Sequence, residues 1–146
     1  MNAKSIKIIL MIDDDVDDCV LFSKALSEES ADVKLITSDG CKPIHENTLP
    51  SLSPDIILLD LNMPGLNGLE CIDMIKASKK FSKIPIFIYS TSSDEAQIKK
   101  CYERGAMLYV QKPSSYNKIK DFVKKLISLD LSVELKNTTE FTALKF

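Results

Sequence analysis

The sequence predicts a doubly wound α/β domain: a five-stranded parallel sheet with helices on both faces. Three observations carry that expectation. Five short oily runs alternate with segments of helical spacing, the pattern of right-handed β-α-β crossovers. The runs are nearly continuous in Ile, Leu and Val instead of alternating with polar residues, as strands covered on both sides are. At 146 residues the chain is long enough for one sizeable core, and no internal repeat or low-complexity linker divides it.

Ile6 to Ile12 (IKIILMI) is the first strand. Val16, Val20, Ser23 and Leu26 recur at helical spacing behind it, and Ser27 to Ser30 close that helix in polar residues. Val33 to Ile36 is the second strand, ended by the turn signal Ser38-Asp39-Gly40. The stretch from Cys41 to Pro54 should hold a helix, with Pro43 suited to its first turn and Pro50 to its end. Asp55 to Leu59 is the third strand and stops at Asp60. After the loop Asn62-Met63-Pro64-Gly65, Asn67-x-x-Glu70 reads as a capping box, with Leu69, Ile72 and Ile75 as the inner stripe. Ile84 to Tyr89 is the fourth strand, and Ser92-x-x-Glu95 reads as a second capping box. Ile98, Cys101, Tyr102 and Gly105 give the following helix its face. Met107 to Val110 is the fifth strand, followed by Lys112-Pro113. Ile119, Phe122, Val123, Leu126 and Ile127 form the cleanest amphipathic pattern in the chain. The expected organisation is one domain over residues 1–131, then a tail at 132–146 with no output domain.

Composition narrows the function classes. A net charge of −2, with 45% hydrophobic and 27% charged residues, is ordinary for a globular protein and leaves no basic footprint for nucleic acid. The apolar run near the start is too short for a signal peptide or a membrane span. Cys19, Cys41, Cys71 and Cys101 are scattered without a CxxC pair, so reduced, half-buried thiols are expected. Localisation is expected to be cytoplasmic.

The chemistry is expected where an open parallel sheet concentrates it, at the carboxyl ends of the strands where their order reverses. The first strand ends in Asp13-Asp14, the third in Asp60, the fourth in Ser90, and Lys112 follows the fifth. Two carboxylates ~4 Å apart repel by roughly 4 kcal/mol at an effective dielectric near 20, so the acidic end of the first strand needs a positive partner. Clustered carboxylates facing a lysine make a hard-oxygen pocket suited to Mg2+, with open positions for phosphate oxygens. A carboxylate so placed can attack phosphorus and form an aspartyl phosphate. Asp60 is the expected nucleophile, because it stands alone on a central strand while Asp13 and Asp14 form a pair. Lys112 and the Ser90 hydroxyl would neutralise the equatorial oxygens.

These landmarks, with the runs "DIILLDLNMPGLNGLE", "PIFIYSTS" and "GAMLYVQKP", resemble the receiver domain of two-component response regulators, similar to the single-domain chemotaxis regulator. The resemblance covers about residues 5 to 130. It implies the flavodoxin-like receiver fold and a phosphorelay function. Asp60 would be the phosphoacceptor, Asp13 and Asp14 the Mg2+ ligands together with Asp60, and Asn62 would offer its backbone carbonyl to the metal. Ser90 and Lys112 would bind the phosphoryl group, Ser90 and Tyr109 would form the switch, and Lys112-Pro113 would be cis. The implied partners are a histidine kinase or phosphotransfer protein and a downstream protein target, with no nucleic acid and no membrane, the chain being a monomer or weak homodimer. The chain would be no enzyme beyond catalysing its own phosphorylation and dephosphorylation.

Plainer readings stand beside these. Asp15, Asp17 and Asp18 read as solvated acids at a helix N-terminus, where the macrodipole favours them. A calcium loop fails, since Asp18 replaces the required glycine and Lys24 the terminal glutamate. Tyr109 also fits a plain core position, and His45 a surface position without a role in phosphotransfer. A mononucleotide binder of related fold would need a Gly/Ser-rich phosphate loop where three aspartates stand. A haloacid-dehalogenase-type phosphatase wants an acid where Asn62 stands. A degenerate receiver that serves only for docking would lack one of the key residues, and all are present.

Overall fold

The computed structural model describes residues 5–30, 32–45, 53–63 and 67–131. Its elements run β1 (Ile8–Ile12), α1 (Val16–Glu29), β2 (Lys34–Ser38), α2 (Lys42–His45), β3 (Ile56–Leu59), α3 (Gly68–Ala77), β4 (Ile86–Ser90), α4 (Glu95–Glu103), β5 (Leu108–Gln111) and α5 (Tyr116–Ile127). All strand pairs are parallel, in the order β2-β1-β3-β4-β5. The doubly wound sheet expected from the sequence is therefore present, and its order reverses between β1 and β3. The anticipated tail and the centre of the Pro43–Pro50 segment lie outside the described residues. α2 itself holds Pro43 in its first turn, where the missing N–H costs nothing.

Alternation along the strands builds two cores. Leu10, Ile12, Ile57, Leu59, Ile86 and Ile88 face the α2, α3 and α4 side, with Ile72, Ile75, Ile98 and Cys101. Ile9, Met11, Ile56, Leu58, Phe87 and Tyr89 face α1 and α5, with Phe22, Leu26, Phe122 and Leu126. Phe22, Tyr89 and Phe122 pack as an aromatic cluster, Tyr89 stacked on Phe122 at 5.3 Å and edge-on to Phe22 at 5.9 Å. α5 buries Ile119, Phe122, Val123 and Leu126 as its period requires.

Several local expectations need correction. α1 buries Phe22, Ala25 and Leu26, whereas Val16 and Val20 are 72% and 58% exposed. The helix rests on the sheet through the larger aromatic stripe, which turns the valines outward. α4 is capped by Asp94, whose carboxylate accepts from the Ala96 N–H; Ser92 caps the Asp94 N–H instead. At α3 the expected cap holds: Asn67 accepts from the Leu69 N–H. Cys41 and Cys71, expected as separate thiols, are instead brought face to face, with Cα atoms 5.9 Å apart, a separation that a disulfide spans. They lie 30 residues apart, and packing of α2 against α3 unites what no local motif announced. The Lys112–Pro113 bond is not cis; no cis peptide occurs among the described residues.

Candidate functional site

The parallel ladder places the polar residues before any side chain is considered. Ile12 pairs with Leu59, so Asp13 and Asp60 leave adjacent strands side by side at the reversal of strand order. The ladder runs one residue further on each strand: the Asp60 N–H donates to the Ile12 carbonyl and the Asp13 N–H to that of Ser38. Ser90 pairs with Gln111, and the Lys112 N–H donates to the Ser90 carbonyl at 2.7 Å. Four strand ends thus bring Asp13, Asp14, Asp60, Ser90 and Lys112 to one edge, as the sequence predicted. Gly68 holds α3 close behind this edge, since a Cβ there would lie 2.6 Å from the Leu61 Cα.

Lys112 is the hub. Its ammonium, on a side chain only 8% exposed, lies 2.8 Å from Asp13 Oδ2, 2.6 Å from Asp18 Oδ2 and 3.4 Å from Asp60 Oδ2. This is the positive partner that the acidic end of β1 demanded. Burial works against the charge on Lys112, but its close contacts with the Asp13 and Asp18 carboxylates outweigh it and raise its pKa above the ordinary lysine value. Asp13 is itself buried, which pushes its carboxyl up from 3.8 to about 6; Lys112 and the Asp15 N–H oppose that rise, while the Asp60 charge adds to it. Asp13 Oδ1 accepts from the Asp15 N–H at 2.9 Å. Its Oδ2 has an ion pair with Lys112 but no hydrogen bond of good geometry, so a buried carboxylate oxygen remains poorly satisfied.

That oxygen, held by an ion pair alone, fits a metal ligand. Carboxylate oxygens of Asp13, Asp14 and Asp60 lie within 4.8 Å of one another, Asp14 exposed and the other two buried. Such a hard-oxygen set with one open side suits a small divalent cation. Asp14, Asp15, Asp18, Asp60, Asn62, Thr91 and Lys112 line an open cleft of about 340 Å³ over it.

Asn62 stands two residues past Asp60; its N–H donates to Asp60 Oδ1 at 3.2 Å and its side-chain amide to Ser90 Oγ at 3.3 Å. Ser90 is fully buried and also accepts from the Ser92 N–H. Tyr109 is fully buried too, its hydroxyl donating to the Ser92 carbonyl at 2.8 Å while its N–H donates to the Tyr102 hydroxyl. The Tyr109 ring, expected either as part of the switch or as plain core, lies inward in this structure. Two residues escaped the sequence reading. Thr91, which lines the cleft, was given no role, and Asp18 was read as a solvated acid. Asp15 caps α1 through the Asp17 and Asp18 N–H groups, and the first turn then points Asp18 at Lys112, 94 residues away. The spacing Asp15-x-x-Asp18 at a strand-end helix was the available signal.

A doubly wound sheet with this acid, acid, acid, hydroxyl and lysine set is the arrangement expected of a receiver domain, and comparison with known families agrees. The response regulator receiver domain model matches residues 9–124; the chain belongs to that family. It is 31% identical over 105 residues to the DNA-binding response regulator MtrA of Mycolicibacterium paratuberculosis, covering 72% of this chain and 44% of that protein. The chain therefore spans less than half of that relative's length. Two solved structures are similar at 26% identity. Phosphorylated cyanobacterial phytochrome response regulator RcpA superposes with a TM-score of 0.76, covering 88% of this chain and 96% of that one. The Mn2+-bound form of response regulator Rcp1 gives 0.71, covering 91% and 97%. No described helix is long and apolar enough to cross a membrane.

Proposed function

We propose that this receiver accepts a phosphoryl group on Asp60 from the phosphohistidine of a histidine kinase or phosphotransfer protein, with Mg2+ as cofactor. The observation that carries the reading is a single one: a nearly buried Asp60 carboxylate 3.4 Å from the Lys112 ammonium, within a cluster of three acids. Asp13, Asp14, Asp60 and the Asn62 backbone carbonyl would hold the cation, which neutralises phosphoryl oxygens when bound. The Mn2+-bound form of the similar response regulator Rcp1 supports a divalent cation as cofactor.

An Asp60 oxygen attacks phosphorus, the P–N bond breaks, and its electron pair stays on the imidazole nitrogen. Water later attacks the same phosphorus and restores the carboxylate, releasing inorganic phosphate. Lys112 steadies the phosphoryl oxygens through both steps, in which the chain forms and hydrolyses its own acyl phosphate. Val16 and Val20, exposed and lining a pocket that shares Asp14 with the cleft, offer the donor protein an apolar surface next to the site. The product is a changed protein surface. Ser90 exchanges its Asn62 contact for the phosphate, and the Ser92–Tyr109 hydrogen bond transmits that movement to α4 and β5. A protein in the cytoplasm would read that face.

The test is acetyl phosphate with Mg2+, followed by intact mass and borohydride trapping. One phosphoryl group should appear on Asp60, and none in Asp60→Asn or with a chelator present. Equal labelling of Asp60→Asn would overturn the assignment.

A further inference from the structure

The shortest contact of Lys112 is not with the phosphoacceptor. Its ammonium lies 2.6 Å from Asp18 Oδ2, against 3.4 Å from Asp60 Oδ2. We infer that Asp18 is a positioning residue that holds the Lys112 ammonium toward α1 and so weakens the grip of the site on a phosphoryl group. The inference rests on the proposed phosphoacceptor function and concerns what regulates that site.

Three points support it. First, an ammonium has three N–H donors, and Asp13, Asp18 and Asp60 already surround this one. An Asp13 oxygen committed to a cation leaves that set, and Asp60 turns phosphoryl oxygens toward it. Asp18 is then the remaining carboxylate that competes for the lysine. Second, Asp18 is held in place: its N–H is bonded to the capping carboxylate of Asp15 at 3.2 Å, so its reach to Lys112 is set by the first turn of α1. Third, its side chain is 31% exposed. Water solvates its charge, so it does not depend on Lys112 for burial and survives the loss of that partner. A charge-assisted hydrogen bond to the lysine opposes the phosphoryl group without obliging the helix to unfold.

A purely structural role would be different: Asp18 would only fasten α1 to the loop after β5. The two are separated by titrating the full chain with beryllium fluoride at saturating Mg2+, a non-covalent stand-in for the phosphoryl group. Asp18→Asn should tighten beryllofluoride binding by roughly two- to fivefold, the range for a partly exposed ion pair. Asp17→Asn removes the same charge from the same turn at an exposed position and should change affinity by less than about twofold. In the wild type, the Asp18 carboxyl 13C resonance should move on beryllofluoride addition as its ammonium partner is shared. This second measurement needs no variant to fold. Unchanged or weaker binding in Asp18→Asn, an equal gain in Asp17→Asn, or a static Asp18 resonance would each overturn the inference. Failure of the wild type to bind beryllofluoride at all would instead overturn the phosphoacceptor reading.

Discussion

The two ends of each strand line obey different physics. Along their length, β1, β3 and β4 present buried and almost wholly apolar side chains to two close-packed layers, with Ile8 half-buried and Ser90 the polar exception at the end of β4. One residue beyond β1, β3 and β5, at Asp13, Asp60 and Lys112, the chain gathers two carboxylates around one ammonium, with one buried oxygen poorly satisfied. Burying apolar side chains is favourable for each residue separately, roughly in proportion to area. Burying charges is favourable only when the whole set is complete. The interior therefore stabilises the molecule, and the edge holds an arrangement that a cation and a phosphoryl group would relieve.

The comparison breaks most visibly in the core. Phe22→Ala removes a fully buried ring from contact with Tyr89 and Phe122 and should cost ~3–5 kcal/mol in urea unfolding. A loss below about 1 kcal/mol would mean that α1 contributes little to the sheet's cover.

The edge should respond with the opposite sign. Because burial raises the Asp13 pKa to about 6, the folded state keeps that proton when the unfolded chain has lost it. This contribution therefore falls as pH rises from about 4 to about 6, then stays low. Asp13→Asn in the presence of a chelator should stabilise the fold by on the order of 1–3 kcal/mol at pH 7.5. The gain should shrink toward zero by about pH 4, and paired melts at the two pH values check it. The same variant should bind Mg2+ more weakly.

The smallest effect is expected at the exposed valines. Val20→Ser should leave stability within about 0.5 kcal/mol, since the residue is 58% exposed. It should slow transfer from a phosphohistidine protein more than labelling by acetyl phosphate, measured as a ratio of initial rates.

α5 and α1 show how far helical period reaches. α5 has one apolar stripe and one charged face, so Ile119, Phe122, Val123 and Leu126 could only go inward. α1 offers two candidate stripes, and the valines were the wrong one. Hydrophobic period ranks residues by polarity, but the aromatic cluster with Tyr89 and Phe122 decided which stripe had partners to pack against. Ser92 and Asp94 are a similar pair: both are good caps, and the exit direction of β4 chose between them.

The sequence by itself determined the strands, their parallel order of use, and the residues of the edge. An apolar run that ends in a carboxylate can be read locally, and chain connectivity forces such ends to one side. Only the tertiary structure decided how those groups share their charges. The pairing of Lys112 with Asp18, the depth of Asp13, the inward Tyr109 and the Cys41–Cys71 contact all join residues distant in sequence. Their distances depend on helix packing and strand register, and a local motif carries no information about either.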